Sequence, residues 1–111
     1  MKADYPHFNS LYFHEELTEH FSLAAAEHRF LRRFRGKANR FTAALMLKSL
    51  GYLGYFPKSP RDIPIAIRRF VGQQLGYPQP IGVPGTVAQR NRVRQWADIR
   101  AFRGNTRLAA I

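Results

Sequence analysis

A run of cationic and amide side chains in the first half of the chain is typical of a surface that binds phosphate. The run consists of Arg32, Arg33, Arg35, Lys37, Asn39 and Arg40. Lys and Arg side chains neutralise phosphates and release the counterions condensed on nucleic acid. Gly36 predicts a turn within the run, and the unpaired backbone N–H groups of the helix expected after it also favour an anion. We therefore predict nucleic-acid contacts on both sides of a helix–turn–helix junction.

A structural interpretation of the same residues is also open. In that interpretation the arginines surround a solvated helix end and lay their alkyl chains over Phe30 and Phe34. Asn39 would then be a helix cap rather than a contact with a base or a phosphate.

A second group of arginines occupies the last predicted helix, over residues 86–103. It contains Arg90, Arg92 and Arg94, and Arg100 follows one to three turns later. Alternate residues of a helix point in different directions, so one solvated face does not explain all of these cations. Because Arg92 projects close to Trp96, either the apolar stripe of this helix is narrow or the helix packs fully only in a larger assembly. We predict that this group forms a second contact with DNA.

Residue types that catalyse reactions or bind metals are sparse. The histidines His7, His14, His20 and His28 show no metal-binding spacing. Glu15, Glu16 and Glu19 are interpreted as a solvated face, and motifs such as G-x-S-x-G, H-E-x-x-H and the P-loop are absent. We predict a chain that is not an enzyme and that uses no metal, no cofactor and no small-molecule substrate.

The composition predicts one small globular domain. A length of 111 residues allows a single modest core, and 45% hydrophobic residues argue against intrinsic disorder. The lack of cysteine excludes disulfides and thiolate zinc sites and is consistent with a reducing cytoplasm. No apolar run reaches 18 residues, and the first residues lack the apolar stretch of a signal peptide, so we expect neither a membrane partner nor secretion.

The formal charge of +11 is unevenly divided along the chain. Residues 1–28 carry −4, whereas residues 29–111 carry +15. A strongly basic body is the electrostatic footprint of a protein that binds a polyanion, and nucleic acid is the first candidate. The alternative is a charge that only keeps a small domain soluble.

The periodicity predicts an all-α fold, a small bundle of about four main helices with helix–turn–helix-like junctions. The first predicted helix is short, at 10–17; the second is amphipathic and runs from a cap at Ser22 to residue 36; the third is buried, at 37–50. The fourth opens at Pro64 after a cap at Asp62 and stops before Gly76. The last runs over 86–103, with Thr86 as its cap. We divide the chain into an acidic and aromatic arm at 1–21, a helical domain at 22–104 and a stub at 105–111. A Pro- and Gly-rich link at 77–85 lies within the domain.

Five segments in order resemble the N-terminal domain of Tn-three family replicative transposases. They are 31–47, 50–57, 60–64, 70–76 and 91–100, so that the resemblance covers most of the chain. It implies an all-helical DNA-binding domain that helps recognise the terminal inverted repeats of a bacterial transposon, in the cytoplasm at the nucleoid. In such transposases the catalytic carboxylates lie in a separate C-terminal region, so the resemblance implies binding without catalysis. It matches Arg32, Arg33, Asn39 and Arg40 to the first basic element of the family, and Arg92 and Arg100 to a later one.

Taken together, these observations predict a domain that binds double-stranded DNA, with the rest of a transposase or other protomers as protein partners. Two alternatives stay open. One is an interaction module of a mobile-element protein, whose basic faces dock an acidic partner. The other is an RNA-associated domain, which would prefer A-form helices.

Overall fold

The computed structural model confirms the all-α class. It describes residues 7–9, 11–77 and 89–110, and in the last of these ranges it describes the side chains of 92–104 only. The helices are α1 (His14–Phe21), α2 (Ala25–Leu31), α3 (Lys37–Leu53), α4 (Ile65–Gln74) and α5 (Gln89–Ala110), with a short 3-10 turn at Pro60–Asp62. No strand occurs within these ranges. The described residues thus contain five α-helices, of which α1 and α2 are short, with 8 and 7 residues.

Helix α3 lies at the centre of the bundle and packs against each of the other four helices. Its residues 41–47 are all buried, as the apolar residues around its circumference predict. It ends three residues later than predicted, because Gly51 continues the helix and Leu53 reaches the core. Gly54 then ends it in the left-handed conformation, with φ 86°.

Helix α2 is shorter than the pattern predicts at both ends. The predicted cap, Ser22, instead donates its hydroxyl to the Thr18 carbonyl at 2.6 Å and closes α1. Helix α2 begins at Ala25, where the Glu27 carboxylate accepts from the Ala24 N–H at 2.8 Å. Beyond Leu31 the chain tightens into a turn, yet Phe34 is still buried. The predicted end of this helix at residue 36 is therefore wrong, although Phe34 in the turn that follows α2 is buried.

The segment before α2 contributes to the core. Helix α1 lies four residues later than predicted and packs on both α3 and α4. Phe21 is fully buried, and its ring contacts those of Tyr12 and Tyr52. The Gln74 amide fixes the link to α2, since it accepts from the Leu23 N–H at 2.7 Å and donates to the Phe21 carbonyl at 2.9 Å.

We expect the stability of the protein to fall between pH 10 and pH 12 through one phenol. Burial, together with the hydrogen bond to the Tyr52 hydroxyl, raises the pKa of Tyr12 from 10.0 to about 12. The folded state therefore favours the neutral phenol. Its contribution is complete below pH 10 and is lost as the pH rises to 12, by up to about 2 kcal/mol. Urea titrations at several pH values should show a steeper loss for the native protein than for Tyr12→Phe, and parallel curves would contradict the expectation.

The start of α4 also differs from the prediction. Asp62 closes the 3-10 turn rather than capping α4, and Pro64 is the residue that precedes the first helical turn. Ile63, Ile67 and Val71 are fully buried, whereas Phe70 is half-buried.

Helix α5 docks on the bundle along a narrow stripe. Trp96 stacks on Phe56 with ring centroids 4.4 Å apart, and Phe102 stacks on Phe30 at the same distance. Ile99 is fully buried between them along the helix. A stripe of this width is the first of the two alternatives that the sequence left open. The helix continues through Gly104 to Ala110, beyond the predicted stop, and the predicted cap Thr86 lies outside the described residues.

None of the helices in the described ranges combines the length and the apolar character that crossing a membrane requires.

Candidate nucleic-acid interface

The junction between α2 and α3 projects its cations outward because one aromatic residue is buried beneath it. The N–H groups of residues 32–34 bond to carbonyls three residues earlier, which tightens the chain after α2. Phe34 is buried in this turn, while Arg32, Arg33 and Arg35 are exposed. Gly36 then adopts φ 83°, a conformation that residues with a side chain rarely adopt, and α3 begins at Lys37. The turn therefore places cations on both sides of Gly36, as the sequence predicts.

Arg40 holds the two helix ends together. Its Nε donates to the carbonyl of Leu31, the last residue of α2, at 3.2 Å, and the residue is half-buried. This bond satisfies one of the carbonyls that a helix C-terminus leaves unpaired. The structure thus gives Arg40, which the sequence assigns to DNA, a positioning contact at the junction.

Helix α5 lies beside this junction. The Gln95 side-chain amide donates to Oδ1 of Asn39 at 3.3 Å, which joins the last helix to the first turn of α3. Asp98 pairs with Arg33, with 3.8 Å between Oδ1 and Nη1. The structure therefore brings together the two basic elements that the sequence identifies separately.

Between the two elements lies an open groove of about 470 Å³, which we call the junction groove. The α2–α3 junction contributes Arg33, Phe34, Arg35 and Asn39 to its walls, and α5 contributes Arg94, Gln95 and Asp98. Three of these seven side chains are cationic and one is anionic. The junction groove is therefore a concave surface that combines positive charge with two amides.

Two cations of the junction groove are available to a ligand. Arg35 and Arg94 are exposed, and the described residues form no hydrogen bond or ion pair with either side chain. The Arg32 side chain is also exposed and has no hydrogen bond or ion pair among the described residues, but it does not line the junction groove. Arg33 differs, because its guanidinium lies 4.9 Å from the centre of the Phe30 ring and faces Asp98. The interpretation as a solvated helix end fits the position of Arg33 over Phe30, and exposed Arg35 is consistent with that interpretation as well as with a ligand contact.

The other cations assigned to DNA lie over aromatic rings. Lys37 is 5.9 Å from the Tyr77 ring centre, Arg92 is 5.5 Å from Trp96, and Arg100 is 5.1 Å from Phe56. Such contacts hold a cation at the surface without removing its charge. The side chain of Arg90 lies outside the described residues.

Sequence reasoning missed Gln95, which is only 3% exposed. Its Oε1 has no hydrogen-bond partner among the described residues. A signal was present, because Gln95, Ile99 and Phe102 follow the i, i+4, i+7 spacing of one helix face. That spacing places an amide on the buried side of a helix rich in arginine. The cap proposed for Asn39 is also not seen, since Gly36 precedes α3 and Asn39 contacts Gln95 instead.

Among the residues that the structure describes, no three His, Asp or Glu side chains are grouped so that they could hold a metal ion.

Comparison with known protein families shows the family to which the chain belongs. The family model described as "Domain of unknown function (DUF4158)" matches residues 2–109, which is nearly the whole chain. No solved structure matches the chain.

Proposed function

The chain belongs to the DUF4158 family, whose function is not established, and we propose that it is a domain that binds double-stranded DNA. The proposed target is the terminal inverted repeat of a Tn-three-like bacterial transposon, bound in the cytoplasm at the nucleoid. The chain would bind without catalysis, and the rest of a transposase or other protomers would be its protein partners.

The observation that carries the proposal is the junction groove. Exposed Arg35 comes from the α2–α3 junction and exposed Arg94 from α5, and the two residues line the same concave surface. Cations from separate elements that face one groove are suited to a ligand with several phosphates, because each phosphate neutralised releases counterions. The net charge of +15 over residues 29–111 favours the same class of ligand.

The amides of the junction groove favour DNA over a structureless polyanion. Asn39 and Gln95 are uncharged and linked to each other. Phosphate contacts position a protein on DNA, whereas directed hydrogen bonds to base edges supply sequence preference. A groove with both kinds of group supports a domain that reads sequence as well as charge.

The resemblance of the chain to the N-terminal domain of Tn-three family transposases supports the choice of target. The segments that carry it include 31–47 and 91–100. These two segments contain the residues of the junction groove, so the resemblance includes the part of the chain where the structure concentrates charge and amides.

The experiment is a fluorescence-anisotropy titration with two labelled duplexes of equal length. One duplex carries the terminal inverted repeat of the element that encodes the chain, and the other carries its scrambled sequence. We expect tighter binding to the repeat, by at least tenfold, that persists from low to near-physiological salt. Equal binding to both duplexes that salt abolishes would contradict the proposal and would favour an interaction module whose basic faces dock an acidic partner.

A further inference from the structure

We propose that Asn39 reads the major-groove edge of an adenine and that Gln95 is the positioning residue that orients its amide. The inference rests on the proposed function and extends it, since it names a base and the residue pair that recognises it.

Gln95 occupies a position that an apolar side chain would fill at lower cost. The residue is 3% exposed and lies one helical turn before the fully buried Ile99. Its Oε1 has no hydrogen-bond partner among the described residues. A buried acceptor without a partner destabilises the folded state. The nitrogen of the same amide does have a partner, because Nε2 donates to Oδ1 of Asn39, 56 positions earlier in the sequence. We therefore assign the role of Gln95 to this bond.

This bond fixes which way the Asn39 amide faces. Its Oδ1 accepts from Gln95 at 3.3 Å, and the residue is exposed at the third position of α3. A carbonyl oxygen has two lone pairs and the amide nitrogen has two hydrogens. One lone pair of Oδ1 and the N–H donors of Asn39 therefore remain for a ligand.

An acceptor beside a donor matches adenine. In the major groove adenine presents N7 as an acceptor and the N6 amino group as a donor, and a side-chain amide bonds to both at once. Asn39 would accept from N6 through Oδ1 and donate to N7 through Nδ2. Guanine presents two acceptors at the same edge, so the oxygen of Asn39 would face another acceptor there.

The surroundings of Asn39 suit a base contact. Arg35 and Arg94 line the same junction groove and are exposed, so they are available to phosphates on either side of a base pair. Asn39 is also in the first turn of a helix, and helices that read the major groove contact base edges through their N-terminal residues.

The test is a selection from a pool of duplexes with random sequence, carried out with four proteins. They are the native chain, Asn39→Ala, Gln95→Met and Arg35→Gln. We expect the native chain to select a motif that contains an adenine, and Asn39→Ala to lose preference at that one position while it keeps the rest. Gln95→Met keeps the shape of the side chain and removes the donor, so it should lose the same preference and stay folded. Arg35→Gln should keep the whole motif and bind more weakly.

Atomic substitution in the selected DNA gives the second readout. Replacing the adenine by 7-deazaadenine removes only N7, and should weaken binding by the native chain about tenfold or more. The same replacement should leave binding by Asn39→Ala unchanged.

Three results would overturn the inference. The first is an unaltered motif with Asn39→Ala, and the second is a loss at a G·C pair; either would leave DNA binding itself intact. The third is a native chain that selects no motif at all, which would show that Asn39 reads no base. If that chain also binds every duplex weakly and salt abolishes the binding, the proposed function fails as well.

Discussion

Replacing Arg35 and Arg94 together by glutamine is expected to weaken DNA binding about 30-fold at near-physiological salt. Both side chains line the junction groove and are exposed, and the described residues form no hydrogen bond or ion pair with them. Each phosphate contact contributes about 0.9 to the slope of log K against log salt, so the slope should fall by about two. Anisotropy titrations at four salt concentrations measure both quantities.

The matched control for this pair is Lys58→Gln with Arg69→Gln. These two residues are also exposed, neither lines the junction groove, and the double variant loses the same two charges. We expect a change of less than about threefold, because long-range attraction between exposed charges is screened at this salt. An equal loss in both double variants would show that net charge alone drives binding and would contradict a site at the junction groove.

The largest expected effect on stability comes from Lys48→Met, at about 2–3 kcal/mol. Lys48 Nζ lies 3.2 Å from each carboxylate oxygen of Glu27, and both side chains are only 15% exposed. The variant leaves the Glu27 carboxylate in a largely buried position without its countercharge, which is the costly way to break such a pair. Glu27 would still accept from the Ala24 N–H and keep the start of α2 in place.

A double-mutant cycle separates the ion pair from the cap. Glu27→Gln removes the charge but retains an oxygen for Ala24, so the double variant Glu27→Gln/Lys48→Met should be more stable than Lys48→Met alone, with a coupling energy of about 1 kcal/mol or more. Urea unfolding is followed through Trp96, the single tryptophan, which stacks on Phe56. Lys58→Met, at an exposed lysine, serves as the control and should change the free energy of unfolding by less than about 0.5 kcal/mol. Independent effects of the two substitutions would contradict the coupling.

The predictable parts of the fold are those in which a periodic pattern is long. The sequence predicts a buried helix at 37–50 because apolar side chains surround it, and α3 is that helix, with residues 41–47 all buried. Helix ends were predicted less well, since they depend on distant partners. The predicted helix stops at residue 50, yet α3 continues through Gly51, and a Cβ at Gly51 would lie 2.8 Å from Nη1 of Arg103 on α5. Because Gly51 has no side chain, the Arg103 guanidinium of α5 can lie close to α3 at this position, and the sequence around Gly51 does not predict that approach.

The candidate site divides in the same way. The all-α class, the central helix and the two basic elements were predictable from the sequence, because they follow from residue type and short-range spacing. The tertiary structure shows which of those cations share a surface, since α3 and α5 are far apart in sequence. The bond between Gln95 and Asn39 joins α5 to α3, and Trp96 of α5 stacks on Phe56 in the segment that follows α3. The tertiary structure also turns Arg40 toward the carbonyl of Leu31 and pairs Lys48 with Glu27. Such contacts depend on the distances between side chains that the folded chain brings together, and the order of residues in the sequence does not predict those distances.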